Sequence, residues 1–292
     1  MIDTSALLKK VRKIEIKTKG LSNRIFSGEY HSAFKGRGMA FSEVREYIPG
    51  DEIRAIDWNV TARFNHPFVK IFEEERELTV MLLADVSASQ SFGTNQQLKR
   101  GMITEICAVL AFSAIRNNDN VGVILFSETV EKFIPPKKGT THILRIIREL
   151  LEFQPENKGT NISGALKYLT NAIKKRSIAF LISDFLAGSY EDAMKIANRK
   201  HDLVALRIFD ERENEMPSAG LIRFVDPESG KKSWIDTGSK SARVGFRAWA
   251  LRHEKETLSL FTKCGVDYTS ISTKTGYVKP LMGLFKRRES RQ

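Results

Sequence analysis

The chain is poor in the residues that build most catalytic and cross-linked sites. Its 292 residues include two cysteines and five histidines. Cys107 and Cys264 lie far apart and have neither metal-site spacing nor the density of a disulfide framework, so a reducing, cytoplasmic compartment is expected. His31, His66, His142, His201 and His253 are scattered, and no His-Glu-x-x-His pair occurs. That excludes one common zinc hydrolase arrangement. A Gly-x-x-x-x-Gly-Lys-Ser/Thr stretch is missing, so the chain is not a P-loop ATPase, and no Gly-x-Ser-x-Gly elbow presents a nucleophilic serine. Long apolar runs are absent too. Nothing approaches the roughly 18 residues of a membrane span, and Met1-Ile2-Asp3-Thr4-Ser5 opens no signal-peptide core.

What is present has the balance of an ordinary globular protein, 41% hydrophobic and 28% charged, with length for one large domain or two modest ones. The net charge of +12 is spread thinly. Its local concentration is the stretch from Lys274, with six basic residues against Glu289. Such a tail can meet RNA, acidic lipid or an acidic protein, and a solvated terminus is the plainer expectation. The piece Tyr277–Arg288 is apolar and then basic, which suits a weak membrane-surface contact or, more simply, a terminal helix packed on a sheet.

The stretch Leu78-Thr79-Val80-Met81-Leu82-Leu83-Ala84-Asp85-Val86-Ser87-Ala88-Ser89 carries no charge before Asp85, and serines follow at alternate positions. A short apolar run stopped by a polar loop reads as a strand buried on both faces, as in a parallel sheet. From here the pattern alternates strand and helix. Strands are expected at Val80–Ala84, Val121–Phe126, Ile178–Ser183, Leu203–Phe209 and Tyr268–Ser272. Thr129–Ile134, stopped by Pro135-Pro136, suits an edge strand. Helices are expected at Gln96–Ile115 and Thr141–Phe153, both with apolar residues at the helical period, and at Ser163–Lys174, near Tyr190–Arg199 and at Ser241–Cys264. Leu221–Val225 and Lys232–Asp236 read as a hairpin inserted near 211–236. The alternation predicts an α/β fold, a doubly wound and mostly parallel sheet.

Residues before 78 differ. Ala6–Val11 suits a helix and Ile14–Lys17 alternates like a strand. Glycines then divide short strand-like pieces, and Tyr47-Ile48-Pro49-Gly50-Asp51 signals a turn. Residues 1–77 are expected to form an N-terminal β-rich module, 78–274 the α/β domain, and 275–292 a basic tail. The charged and aromatic cluster Arg45, Tyr47, Asp51, Arg54, Asp57, Trp58 and Arg63 is expected mostly to salt-bridge within that small, poorly cored module.

Three loops follow strand ends or open helices on what should be one edge of the sheet. They carry Asp85, Ser87 and Ser89; Thr160 within Lys158-Gly159-Thr160-Asn161-Ile162; and Asp184 after Ser183. In open α/β sheets that edge holds the binding site. Two carboxylates and three hydroxyls are hard oxygen donors, which suit Mg²⁺, with Mn²⁺ and Ca²⁺ as alternatives, over a soft transition metal. The two charges only balance the metal, which stays electrophilic and keeps a coordination position for an outside carboxylate. A single Asp could instead cap a helix or make a turn; five oxygen residues on three loops make that account a poor one.

Asp85-x-Ser87-x-Ser89, Thr160 and Asp184 resemble the metal-ion-dependent adhesion site of von Willebrand factor A-type domains. The stretch running from Gly36-Arg37-Gly38-Met39 through Tyr47-Ile48-Pro49-Gly50-Asp51 to Ile56-Asp57-Trp58, followed by Thr61-Ala62-Arg63, resembles the bacterial domain-of-unknown-function family fifty-eight, which pairs such a module with an A-type domain. Gln90 stands where A-type domains often place a methionine. The resemblance implies a Mg²⁺ site formed by Asp85, Ser87, Ser89, Thr160 and Asp184, no catalysis, and a partner bound through an acidic side chain. It also implies work beside a MoxR-type AAA+ ATPase in protein maturation, complex assembly or stress tolerance. Two other readings are weaker. An aspartate-dependent phosphatase needs a second aspartate two residues after Asp85, where Ser87 stands. A nucleic-acid binder rests on charge alone, without basic runs interleaved with aromatics.

Overall fold

The computed structural model describes residues 4–21, 30, 33, 39–74, 78–91, 99–225 and 230–291. The chain divides into two compact units, one of residues 1–34 and 79–292 and a smaller one of residues 35–78.

The larger unit is built on a six-stranded sheet. Its strands are β3 (Thr79–Asp85), β4 (Asn120–Phe126), β5 (Val130–Lys137), β6 (Ile178–Ser183), β7 (Asp202–Phe209) and β10 (Asp267–Ser272), in spatial order β10-β7-β6-β3-β4-β5. All neighbours are parallel except β5, which pairs antiparallel with β4 at the edge. Pro135 and Pro136 sit in β5, where one side of the strand needs no ladder donors. The order reverses between β3 and β6, the switch point of the sheet.

The helices α3 (Lys99–Arg116), α4 (Thr140–Glu152), α5 (Ile162–Ala172), α6 (Glu191–Lys200) and α7 (Lys240–Lys263) connect or follow these strands. On one face Met81, Leu83, Ile124 and Phe126 pack with Leu166 and Leu169 of α5, Met194 of α6 and Phe261 of α7. Side chains alternate along a strand, so Val80, Leu82 and Ala84 face the other way, and they are just as buried. That burial on both sides is why β3 reads as an unbroken apolar run. The predicted core strands, the edge strand and the hairpin β8 (Leu221–Val225) with β9 (Lys232–Asp236) are present, with helix ends shifted by a residue or a few and with the edge strand running on through Pro135-Pro136, where it was expected to stop, to Lys137. Residues 96–98, expected to begin a helix, and 226–229, the hairpin tip, lie outside the described residues.

Two expectations about the ends of the chain need correction. Thr4–Leu21 is a single helix, α1, and belongs to the larger unit rather than to a β-rich module of residues 1–77. The alternation of Ile14–Lys17 is also satisfied by a helix, in which the Thr18 hydroxyl donates to the Ile14 carbonyl at 2.7 Å while Val11 and Thr18 are buried. Lys17 reaches Glu105 of α3 at 2.6 Å. The segment 275–292 is no free basic tail but contains the terminal helix expected at Tyr277–Arg288, α8 (Val278–Glu289), which buries Leu281, Leu284 and Phe285. Its charge is used inside the unit: Arg288 pairs with Asp202 and, at 2.8 Å, with Asp267, which also takes Arg291 at 2.7 Å.

The smaller unit pairs β1 (Met39–Glu46) antiparallel with β2 (Phe68–Glu74) and holds the short helix α2 (Trp58–Phe64) between them in sequence. The expected internal salt bridging is present in part. Arg45 binds both carboxylate oxygens of Asp51 at 2.7 Å, and Asp57 caps α2 through the amides of Asn59 and Val60. Ile48, Ile53, Trp58 and Phe64 are exposed. The glycine-rich piece before Met39, with Gly28, Gly36 and Gly38, lies outside the described residues.

Two measurements test this packing. A Cβ added at Gly122 of β4 would stand 2.8 Å from Met81 Sδ, 2.9 Å from the Ile134 carbonyl and 2.9 Å from the Pro136 nitrogen. Two of these are backbone atoms that cannot rotate away, so Gly122→Ala should lower the unfolding free energy in urea by about 1–3 kcal/mol. His201 is buried, with Nδ1 2.9 Å from the Ser177 hydroxyl and Nε2 without a partner. Burial, with Lys200 and Arg176 nearby, pushes its pKa down to about 4. The unfolded chain therefore takes up a proton that the native chain refuses, and this group makes stability rise from about pH 4 to about pH 6.5. His201→Gln should flatten that part of the urea-midpoint profile against pH.

Candidate metal centre

The site forms where β3 and β6 end side by side. Asp85 is the last residue of β3, and a 3₁₀ turn over Ala88–Ser91 follows it. That turn folds the alternate serines back toward the carboxylate. The Ser87 amide donates to Asp85 Oδ1 at 2.9 Å, and the Ser87 and Ser89 hydroxyl oxygens lie 3.1 Å apart. Asp85, Ser87 and Ser89 are all buried.

Ser183, the last residue of β6, ties the neighbouring strand to the same carboxylate. Its hydroxyl donates to Asp85 Oδ2 at 2.6 Å and accepts from the Phe185 amide at 3.0 Å. Asp184 follows, buried, with Oδ1 accepting from the Leu186 amide at 3.1 Å. Phe185 sits at φ 61°, in the left-handed region that a bulky residue rarely adopts. Its fully buried ring, edge-on to Phe261 at 4.7 Å, holds it there.

Thr160 lies on the loop before α5, half-buried. That loop is stitched to both neighbours: the Ala88 amide donates to the Lys158 carbonyl at 3.1 Å and the Asn161 amide to the Ser127 carbonyl at 2.8 Å. Asn161 then caps α5 through the Gly164 amide at 2.8 Å. The structure thus joins Asp85, Ser87 and Ser89 by hydrogen bonds, sets the buried Asp184 at the end of the adjacent strand, and fixes the Thr160 loop beside the turn after β3.

Four further residues belong to the site and carry no local motif. Ser183 is one. Gln90, fully buried, donates from Nε2 to Asp85 Oδ2 and to the Ser89 hydroxyl, both at 3.2 Å, while its Oε1 has no hydrogen-bond partner. Lys99, the first residue of α3, is 0% exposed, and its ammonium donates to Asp184 Oδ2 at 2.8 Å and to Glu213 Oε1 at 2.5 Å. Glu213 ends a 3₁₀ turn after β7, where a capping box fixes its other oxygen to the Asp210 amide at 3.0 Å. The only advance signal for Lys99 or Glu213 would have been a charge that no local pattern required.

Electrostatically the cluster is short of positive charge. Burial, with the negative charge of Asp184 close by, pushes the Asp85 carboxyl up to about 7, against the hydrogen bonds from Ser183 and Ser87 that favour its ionised form. Burial alone would lower the Lys99 pKa, but Asp184 and Glu213 hold it above its ordinary value, so the ammonium stays charged. When all three carboxylates are ionised, Asp85, Asp184 and Glu213 with Lys99 leave two net negative charges in a buried place. Among the described residues no three His, Cys, Asp or Glu side chains form a metal cluster; two carboxylates and neutral hydroxyls make up the donor set here, and the unpartnered amide oxygen of Gln90 lies beside it. A hard divalent cation fits both that set and that charge.

Ser183→Ala tests how far the cluster depends on the link between the strands. It deprives Asp85 of its shortest hydrogen bond and leaves the buried Phe185 amide without its acceptor. The loss expected in urea unfolding, with divalent ions chelated, is about 1–3 kcal/mol.

Several known proteins are similar to this chain. An uncharacterized protein of Mycobacterium tuberculosis, Rv1480, is 27% identical over 286 residues, 96% of this chain and 89% of its own. The solved structure of the conserved hypothetical protein BatB from Bacteroides thetaiotaomicron is 15% identical, with 73% of this chain and 99% of that one covered at a TM-score of 0.48. Proximal thread matrix protein 1 of the mussel byssus, solved with a zinc-occupied MIDAS motif, is 19% identical and covers 45% of this chain and 38% of its own at a TM-score of 0.38. The model of the family described as "Protein of unknown function DUF58" matches residues 43–256, well over half of the chain, and the protein belongs to that family.

Proposed function

We propose that this protein is a non-enzymatic, divalent-cation-dependent interaction protein. Asp85, Ser87, Ser89, Thr160 and Asp184 supply the oxygens for the ion, Mg²⁺ first among the hard cations, and an acidic side chain of a partner completes its shell. One observation carries the reading. Two buried carboxylates, Asp85 and Asp184, stand at the ends of adjacent strands at the sheet's switch point, with Ser183 bridging to Asp85 at 2.6 Å and two serine hydroxyls turned into the same space.

The chemistry favours binding over turnover. Neutral hydroxyls donate little electron density, so a bound ion keeps its appetite for an anionic ligand. Position 87, where a phosphatase of the aspartyl type needs a second acid, holds a serine whose hydroxyl is engaged with Ser89 at 3.1 Å. The family resemblance points to a MoxR-type AAA+ ATPase as the partner, with protein maturation, complex assembly or stress tolerance as the setting. Among the described residues no helix is long and apolar enough to cross a membrane. The buried thiols Cys107 and Cys264 are free, in keeping with a cytoplasmic place of action.

The test is co-precipitation of a MoxR-type ATPase on the full-length protein. Binding should appear with Mg²⁺, vanish with a chelator, and vanish with Asp85→Ala. Binding that survives Asp85→Ala would defeat the metal-bridged mechanism, and hydrolysis of simple phosphate esters by the purified protein would defeat the non-enzymatic reading.

A further inference from the structure

We infer that Lys99 is a built-in competitor for the cation site: its ammonium holds Asp184 in the ion-free protein and withdraws onto Glu213 when a divalent ion takes Asp184. The inference rests on the metal reading above and adds the means by which the site is regulated.

The geometry supplies both resting places. Lys99 Nζ lies 2.8 Å from Asp184 Oδ2 and 2.5 Å from Glu213 Oε1, with no exposed surface of its own. An ammonium and a divalent cation carry like charge, and in a weakly screened interior each weakens the other's hold on one carboxylate. Glu213 can keep the ammonium alone. The capping box binds its other oxygen to the Asp210 amide at 3.0 Å, so Oε1 stays aimed at Lys99. A cavity of about 30 Å³, lined by Asp184, Glu213, Trp249 and His253 among others, lies against both acids. It is large enough for one water beside the two carboxylates, while Lys99 needs only to keep the contact it already makes with Glu213 Oε1. Charge closes the account. With Lys99 retained at Glu213 and Asp85 ionised, the cluster keeps two net negative charges, which one divalent ion neutralises. Without Glu213 the released ammonium would have no partner, which in a buried place is costly.

Lys99 therefore sets the cation affinity below what the oxygen donors alone would give, and Glu213 sets it above what Lys99 alone would allow. The two residues should act with opposite sign, and that distinguishes a competitor from a purely structural ion pair.

The experiment is Mn²⁺ binding to the full chain, read as free Mn²⁺ by electron paramagnetic resonance, for the wild type, Lys99→Met and Glu213→Gln. Thermal melting checks that each variant is folded. Lys99→Met should tighten Mn²⁺ by about tenfold or more, and Glu213→Gln should weaken it. Equal or weaker binding by folded Lys99→Met overturns the inference. The wild type gives an independent reading should Lys99→Met fail to fold. With ¹⁵N-labelled lysine, the Lys99 ammonium resonance should move as Mg²⁺ saturates the site, and a resonance unmoved at saturation overturns the inference. Wild-type protein that binds Mn²⁺ without tightening in Lys99→Met sinks this inference alone. Failure of wild type and variant alike to bind Mn²⁺ sinks the metal reading and this inference with it.

Discussion

Two carboxylates of like charge are buried next to one another at the ends of β3 and β6, and the rest of the site answers that fact. Apposed buried anions are unfavourable unless hydrogen bonds or cations offset them. Ser183 and the Ser87 amide donate to Asp85, Lys99 neutralises Asp184, and Glu213 holds Lys99 in place. The turn after β3, the loop after β6, the start of α3 and the turn after β7 each contribute one member of this arrangement.

The sheet explains why the charges meet. A parallel strand order that reverses between β3 and β6 leaves a crevice at their C-terminal ends, because the following helices leave in opposite directions. Apolar side chains on both faces of β3 fix the register, and the register fixes Asp85 opposite the end of β6. Phe185, held in a left-handed conformation by its buried ring, turns the chain immediately after Asp184. The folding core and the site are therefore one construction. The apolar stripes that drive the sheet together also oblige two acids to share a small space.

Much of this was legible in the sequence, for physical reasons that also mark its limits. A strand buried on both faces leaves an unbroken apolar run, so β3, β4 and β6 stand out, and Asp85-x-Ser87-x-Ser89 sits on one turn and is seen as a unit. The β8–β9 hairpin was read to its boundaries from turn residues between two short alternating runs. Ile14–Lys17 misled because a window of four residues satisfies the period of a strand and that of a helix together; Val11 and Thr18, one turn to either side, show which period is used. Lys99, Ser183 and Glu213 come from segments distant in sequence, and each has an ordinary local role as a helix residue, a strand end or a cap. Only the sheet topology brings them to one point. For Lys279 and Arg288, a basic run looks the same whether it faces solvent or, as Arg288 does, reaches Asp202 and Asp267.

The central claim is that the oxygens of Asp85, Ser87, Ser89, Thr160 and Asp184 hold a divalent ion. Anomalous diffraction from crystals grown with Mn²⁺ tests it most directly. The account predicts a manganese peak within coordination distance of the Ser87 and Ser89 hydroxyls, flanked by Asp85 and Asp184. Well-diffracting crystals at saturating Mn²⁺ with no peak there, or with the ion bound by other residues, would contradict it.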